Sequence, residues 1–405
     1  MHFEGVPHTN SDSVSPVKPP SGVDYIQSDI ELRKLFRSVK GERLLAMDTE
    51  AASFHRFQDR VYLLQLSSRD STAIVDPLTV TDLTPIGNAL SDPKTEVVFH
   101  DADYDLRLLD QDFGFHARSI FDTRVAAQLL NEPGIGLAAL LDKYLGVKLN
   151  KKFQRADWSA RPLSAEMLSY AATDTRYLPE LRDILRGKLQ EKGRLDWAEE
   201  EFRLLEQVRW SPAKKDGTEF LRIKGAKALP GRTLAILREL YQWRDTTARR
   251  RDKAPFRILN NQAMLQLALT PPRDLAALGR TSGVGPETAR RNGKSILAAI
   301  ERGRLVKDGD LPRVKRPSRP RHDKEYDARL DRLKAARNAV AKRLDLQSGV
   351  ACPNGTLEAI AREAPATQDD LTTVPALRRW QAKEFGNELL AAVASRKQKT
   401  ENGNQ

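Results

Sequence analysis

The chain has 405 residues, a length that exceeds one typical domain and favours two or three. It has no run of about 18 apolar residues, and its N-terminus lacks the basic-then-apolar order of a signal peptide. These features argue against membrane-spanning and secreted classes, so we expect a cytoplasmic protein. The single cysteine, Cys352, can neither form an internal disulfide nor complete a cysteine-based metal site.

Formal charge separates the two halves of the chain. Residues 1–200 hold 25 Lys and Arg against 31 Asp and Glu, a net charge of −6, whereas residues 201–405 hold 42 against 24, a net charge of +18. A strongly basic region favours a polyanionic partner, because cationic side chains that neutralise phosphates release condensed counterions. The charge predicts nucleic acid as this partner and leaves a membrane surface or an acidic protein as alternatives.

The first elements in chain order predict an α/β arrangement. Residues 1–22 are rich in Ser, Pro, Asn and Gly without periodicity, which predicts a disordered leader. Apolar residues at helical spacing then predict a helix over 30–39. The next elements are predicted as three strands in a meander, a helix and a buried strand, at residues 44–50, 61–68, 72–77, 81–90 and 96–100.

The first predicted strand, LLAMDTE, ends in two acids that flank one threonine. Alternate side chains of a strand share a face, so Asp48 and Glu50 point the same way with Cα atoms about 6.6 Å apart. Two like charges at short range repel unless a cation lies between them. This fragment therefore predicts either half of a metal site or an ordinary strand end that runs into a polar loop.

Two later helices supply further candidate acids. Asp105 lies early in a helix that begins where the strand at 96–100 ends, a place where α/β sheets present functional groups. Its alternative role is to complement the dipole at the helix N-terminus. A helix predicted over 164–180 carries Tyr170 and Asp174 four residues apart, hence on one face. A tyrosine and an acid on a solvated face is the alternative there.

A strand is also predicted at 119–123, with Asp122 or Thr123 as the cap of the helix that follows. We assign no chemistry to these two residues.

The four candidate acids are Asp48, Glu50, Asp105 and Asp174. Gathering four carboxylates requires counter-charge, and oxygen ligands select hard divalent ions such as Mg²⁺ or Mn²⁺. Two such ions would form the clamp used for in-line attack on a phosphodiester.

The order and spacing of these residues resemble the exonuclease motifs of the DEDD superfamily. The motifs are D-x-E in the first strand, H-x₄-D from His100 to Asp105, and Y-x₃-D from Tyr170 to Asp174. The tyrosine places the chain in the DEDDy branch. The segments FHRFQDRVYLLQL, IFDTRVAA, DWSARPL and YAATDTRYL also look like ribonuclease D, over residues 23–207.

This resemblance implies a ribonuclease-H-like α/β fold with a mixed sheet flanked by helices. It also implies 3′-to-5′ hydrolysis of RNA that releases 5′-mononucleotides, with Tyr170 orienting the attacking water. The implied catalytic residues are Asp48, Glu50, Asp105, Tyr170 and Asp174, of which the four acids would bind the two metal ions.

The second half of the chain predicts two helical bundles. Helices at 233–251, 260–268 and 286–303 form the first, and their sequence resembles the HRDC domain, a nucleic-acid-binding module. Gly283 and Gly285 precede a helix N-terminus, which predicts either a phosphate contact or a tight turn with no ligand. A second bundle resembles a divergent HRDC copy. Its helices are predicted at 326–343, 355–362, 369–371, 375–385 and 386–395.

The predicted boundaries divide the chain into a disordered leader (1–22), an exonuclease domain (23–207), a basic connector (208–227), a first HRDC domain (228–305), a Pro- and Arg-rich linker (306–322), a second HRDC-like domain (323–397) and a polar tail (398–405). We expect a monomeric exoribonuclease that trims structured RNA such as tRNA precursors. The alternatives are a DNA-directed exonuclease and a nucleic-acid-binding protein whose acidic site is inactive.

Overall fold

The computed structural model describes residues 19–39, 41–213, 216–314 and 323–394. The predicted tail at 398–405, most of the predicted leader at 1–22 and the later part of the predicted linker at 306–322 lie outside the described residues. Within them, no helix combines the length and the apolar composition that a membrane span requires.

A six-stranded sheet forms the first domain, and its mixed strand directions agree with the prediction. Its strands are β1 (Asp24–Ile26), β2 (Leu44–Ala51), β3 (Val61–Ser67), β4 (Thr72–Val75), β5 (Glu96–Phe99) and β6 (Ile120–Asp122). The spatial order is β1-β4-β3-β2-β5-β6, in which β2, β3 and β4 are the antiparallel meander and the other pairings are parallel. The sequence did not predict β1, because three residues are too few to display the two-residue period of a strand.

Eight helices cover the two faces of this sheet. They are α1 (Asp29–Ser38), α2 (Thr84–Ser91), α3 (Asp103–Phe113), α4 (Thr123–Leu129), α5 (Leu137–Leu145), α6 (Ala165–Arg176), α7 (Leu178–Glu191) and α8 (Leu195–Leu205). Leu45 and Met47 of β2 pack with α1 to α3 on one face. Leu44 and Ala46 pack with α4, α5, α7 and α8 on the opposite face. The alternation along β2 thus places two separate cores on its two sides.

The single helix predicted over 164–180 is wrong. Residue Tyr177 separates α6 from α7, and Pro179 occupies the first turn of α7. Proline has no backbone N–H and its ring collides with the carbonyl of the preceding turn, so a continuous helix cannot pass through this position. The cap predicted at Asp122 or Thr123 is formed by Asp122, whose carboxylate accepts from the backbone N–H groups of Arg124 and Val125.

Two helical units follow, and both have the same order of long and short helices. The first contains α9 (Gly231–Arg250), α10 (Pro255–Ile258), α11 (Asn261–Leu269), α12 (Leu275–Gly279) and α13 (Pro286–Leu305). The second contains α14 (Lys324–Arg343), α15 (Ser348–Ala351), α16 (Asn354–Glu363), α17 (Gln368–Thr372) and α18 (Arg379–Ala394). Residues 375–378 lie before α18, so the predicted start of this helix at Pro375 is wrong. The break predicted after Phe385 corresponds to a kink within α18.

A buried arginine repeats at the same place in both units. In the first unit, Arg244 donates to the carbonyl of Leu259 and to Asn261 Oδ1, at 3.0 and 2.7 Å. In the second, Arg337 donates to the carbonyl of Cys352 and to the side chain of Asn354, at 3.2 and 2.7 Å. These matched hydrogen bonds join each long helix to the short helix after it, and they support the prediction that the second unit repeats the plan of the first.

The second helical unit packs directly on the exonuclease domain. Trp197 of α8 stacks on Trp380 of α18 with ring centroids 4.5 Å apart and an interplanar angle of 14°. The carboxylate of Glu200 accepts from the first backbone N–H groups of α18, at Arg379 and Trp380. Glu201 pairs with Arg378 at 2.9 Å. The exonuclease core therefore continues into the second unit.

Candidate active site

Strand β2 and helix α6 bring three acids together. Asp48 and Glu50 share the face of β2 that α6 covers, and Asp174 lies near the end of α6. One carboxylate oxygen from each of these three residues lies within 4.8 Å of the other two. The structure thus places three of the four sequence-predicted metal ligands at one point.

Small residues allow α6 to approach the sheet closely. Ala171 and Ala172 are buried against Leu63 of β3, and the hydroxyl groups of Thr175 and Ser67 lie 2.8 Å apart in a hydrogen bond. A larger residue at either alanine would push the helix outward and move the Asp174 carboxylate away from β2. The small residues beside the acid therefore have a structural function.

Asp105 reaches the site from the opposite face of the sheet. It lies in the first turn of α3, and its carboxylate accepts a 2.5 Å hydrogen bond from the Thr49 hydroxyl. Thr49 is the residue between Asp48 and Glu50, so its side chain points away from theirs. Asp105 is buried and adds to the negative potential at Glu50, although it lies outside the cluster of three acids.

Burial raises the pKa of all four candidate ligands, and neighbouring carboxylates add to the shift for Asp48, Glu50 and Asp105. Burial, followed by the charge of Asp174, raises the pKa of Asp48 to about 8, and burial raises that of Asp174 to about 7. Burial and the neighbouring carboxylates hold the pKa values of Glu50 and Asp105 well above their usual range. Without a cation, these groups cannot all be ionised near neutral pH.

Tyr170 borders the acids with its hydroxyl protonated. Burial, followed by the charges of Asp174 and Glu50, raises its pKa above the ordinary value. Its ring is held between Phe153, at 5.9 Å and 68°, and Trp158, at 6.0 Å and 32°. A neutral phenol in a fixed orientation can donate or accept one hydrogen bond, but it is too weak an acid to supply a phenolate at pH 7.

A cleft of about 440 Å³ opens onto the acids. Asp48, Tyr170 and Asp174 line it together with Arg124 and Lys151. His100, the histidine of the H-x₄-D motif, also lines it, and burial followed by the charge of Arg124 lowers its pKa to about 4. The imidazole is therefore neutral at physiological pH.

The sequence did not assign roles to several residues around the site. Arg124 lies in the helix predicted after the strand at 119–123. Lys151 lies in a polar segment to which no function was assigned. The alternation of basic and aromatic residues in KKFQRADW is the signal that could have identified the second segment. Gln65 gave no signal of its own. It is fully buried directly opposite Asp48 in the β2–β3 pairing, and neither amide atom has a hydrogen-bond partner among the residues that the structure describes.

Comparison with known proteins identifies the family. Models of a 3′-5′ exonuclease and of the HRDC domain match residues 23–190 and residues 233–300 and 327–393, respectively. Ribonuclease D of Granulibacter bethesdensis is 30% identical over 364 residues, which cover 89% of this chain and 90% of that protein. The chain belongs to the ribonuclease D family. It is therefore a metal-dependent 3′-to-5′ exoribonuclease, and the resemblance to this family found in the sequence is confirmed.

Two more comparisons agree with this assignment. Ribonuclease D of Gluconacetobacter diazotrophicus is 32% identical over 369 residues, with 89% of this chain and 90% of that protein covered. The crystal structure of Escherichia coli RNase D, described as an exoribonuclease involved in structured RNA processing, superposes with a TM-score of 0.66. It is 25% identical, with 92% of this chain and 98% of that chain covered. The ribonuclease D fold predicted from the sequence, an α/β domain followed by helical units, is thus confirmed.

Proposed function

We propose that this enzyme removes nucleotides one at a time from RNA 3′ ends with two divalent ions, Mg²⁺ or Mn²⁺, as cofactors. The residues that would bind them are Asp48, Glu50, Asp105 and Asp174. The observation that carries this proposal is the convergence of three carboxylates within 4.8 Å beside Tyr170 in an open cleft.

The ligand set fits hard divalent ions. All four candidate ligands offer carboxylate oxygen, which Mg²⁺ and Mn²⁺ prefer over nitrogen or sulfur. The raised pKa values of Asp48 and Asp174 indicate that the site has no positive charge of its own to stabilise the ionised acids. Bound ions supply that charge, polarise the phosphodiester and lower the pKa of water.

The surrounding residues keep these groups in place. Thr49 fixes the orientation of the Asp105 carboxylate through its hydroxyl. Phe153 and Trp158 confine the Tyr170 ring, so its hydroxyl can orient a water molecule for in-line attack on the terminal phosphodiester. The raised pKa of the phenol suits an orienting group better than a free-standing base.

The shape and charge of the cleft favour a single strand with a free 3′ end. Its volume of about 440 Å³ is of the order of one nucleotide, and Arg124 and Lys151 offer positive charge to the phosphates. A duplex would have to open before its terminal phosphodiester reached the acids. We therefore expect digestion to stall at stable stems.

A second cleft supports binding of the RNA body by the first helical unit. It lies between α9 and α13, has a volume of about 420 Å³, and is lined by Trp243 and by four arginines, Arg250, Arg251, Arg291 and Arg302. Arginine side chains bind phosphate, and the partly buried Trp243 ring borders the cleft where a base could contact it. A structured RNA with a short 3′ overhang, such as a tRNA precursor in the cytoplasm, would suit a monomer with these two clefts.

The test is an exonuclease assay with matched substrates. A labelled single-stranded RNA, the DNA of the same sequence and a circular RNA are incubated with and without Mg²⁺, beside the variant Asp48→Asn. We expect metal-dependent release of mononucleotides from the linear RNA, slower cutting of the DNA, and no cutting of the circle or by the variant. Efficient cutting of the circle would contradict an exonuclease, and faster cutting of DNA would support a DNA-directed enzyme.

A further inference from the structure

Two exposed aromatic side chains meet where the exonuclease domain contacts the first helical unit. Phe54 lies in the loop after β2, four residues beyond Glu50, and Phe256 belongs to α10. Their ring centroids are 6.3 Å apart in an edge-to-face arrangement, yet 42% of Phe54 and 49% of Phe256 remain exposed. Large apolar side chains that stay in solvent next to a site commonly mark a binding surface.

A line of contacts joins this pair to the catalytic tyrosine. The Arg155 guanidinium lies 5.2 Å from the Phe54 ring centroid. Two residues earlier in the same segment, Phe153 contacts Tyr170, with Lys152 positioned 5.1 Å from the Phe153 ring. The rings of Phe153, Phe54 and Phe256 therefore extend from Tyr170 with the Arg155 guanidinium among them, and Phe153 and Arg155 are linked through the chain. We name Phe153, Arg155, Phe54 and Phe256 the aromatic track.

Hydrogen bonds hold the three segments of the track together. His55 Nε2 contacts the carbonyl oxygen of Arg155 at 3.0 Å, and the backbone N–H of Ala254 donates to the carbonyl of His55 at 3.1 Å. Arg257 donates from Nε to the carbonyl of Phe54 at 2.5 Å. The track is thus formed before any ligand arrives, which reduces the entropy lost on binding.

The charged side chains of this surface indicate which class of ligand it binds. Arg155 and Arg257 are exposed beside the two rings. Of the two nearby acids, Asp252 pairs with Arg56 at 3.4 Å, and Asp157 lies 3.5 Å from His55. The surface therefore offers cations and ring faces together, which suits phosphates and unpaired bases. It is less suited to an apolar peptide.

We propose that the aromatic track binds the single-stranded RNA that leads into the active site, with bases stacked on Phe54 and Phe256 and phosphates near Arg155 and Arg257. This inference rests on the proposed function, because it takes the catalytic end of the track to be the Tyr170 site. Phe256 lies in the first helical unit, so the track makes that unit part of the path of the strand.

The test compares a long and a short substrate with full-length protein. Binding of a fluorescent 12-nucleotide single-stranded RNA is measured by anisotropy in EDTA, and kcat/KM is measured in Mg²⁺ for the same 12-mer and for a trinucleotide. The variants are Phe256→Ala, Phe256→Leu and Phe256→Tyr. Leu269→Ala is the matched control, because Leu269 is 56% exposed in the same helical unit and lies outside the track.

Loss of one base stack should weaken 12-mer binding by about 5- to 150-fold in Phe256→Ala. Phe256→Leu should behave like Phe256→Ala, whereas Phe256→Tyr should restore binding and Leu269→Ala should match the wild type. The loss of kcat/KM should be at least fivefold larger for the 12-mer than for the trinucleotide.

Three outcomes would contradict the proposal that the aromatic track binds RNA. They are 12-mer binding within twofold of the wild type in Phe256→Ala, restoration by leucine as complete as by tyrosine, and equal losses on both substrates. Failure of the wild-type protein to cut either substrate would instead contradict the proposed function, so the two failures are distinguishable.

Discussion

Removing one carboxylate from the cluster of three acids should stabilise the metal-free protein while abolishing its activity. The pKa of Asp48 is about 8 in the folded protein, against an ordinary value of 3.8. Between these two values the folded state holds a proton that the unfolded state has released. The free energy of unfolding therefore falls as pH rises through this window.

The magnitude follows from the same shift. At pH 7 the penalty for Asp48 has accumulated over about 3 pH units above its ordinary pKa, which corresponds to an upper bound of about 4 kcal/mol. Asparagine resembles the protonated acid in shape and carries no charge. Asp48→Asn should therefore raise the free energy of unfolding in EDTA by up to about 4 kcal/mol at pH 7, and by progressively less towards pH 4.

The assay is urea unfolding of both proteins in EDTA and in Mn²⁺ at pH 5, 7 and 8.5. Mn²⁺ should stabilise the wild type strongly at pH 8.5 and Asp48→Asn much less, because the variant lacks one ligand. Asp331→Asn is the control, because Asp331 is 80% exposed and should change stability by less than about 0.5 kcal/mol. If Asp48→Asn is no more stable than the wild type in EDTA at pH 8.5, then burial and the neighbouring carboxylates do not raise the pKa of Asp48 to about 8.

Three further predictions concern single side chains. Tyr170→Phe should lower kcat by about 10- to 100-fold in single-turnover assays and leave KM nearly unchanged, because the ring packing survives and only the hydroxyl is lost. Gln65→Met should raise the free energy of unfolding in EDTA by about 1–2 kcal/mol, because it removes a buried amide that has no partner. Trp380→Ala should lower the unfolding free energy by about 3–5 kcal/mol and speed hydrogen exchange in α8, because it removes the ring stacked on Trp197.

The local relations among the candidate residues were easier to predict from the sequence than the geometry of the whole site. Strand alternation predicted that Asp48 and Glu50 share a face, and helical spacing predicted the same for Tyr170 and Asp174. Both relations are local and the structure shows both. The position of Asp105 on the opposite face depends on how α3 packs under the sheet, which no spacing within the chain specifies.

The helix boundaries show a second limit. Pro179 was visible in the sequence, but the helix was predicted to run through it to Glu180, and the break at Tyr177 was missed. The contact between Trp197 and Trp380 was beyond prediction for another reason. The two residues are far apart in the chain, and each alone resembles an ordinary apolar position on an amphipathic helix.

The fold explains how a cluster of repelling acids can persist without metal. Each acid is carried by an element that is fixed for an independent reason: β2 by pairing on both of its edges, α6 by its alanines against β3, and α3 by the core on the opposite face. Repulsion among the carboxylates would have to displace whole packed elements, which costs more free energy than protonating the acids. The cluster therefore responds by binding protons rather than by moving apart. The packing of the two cores would thus hold the candidate ligands in position for a divalent ion, which links that packing to the proposed mechanism.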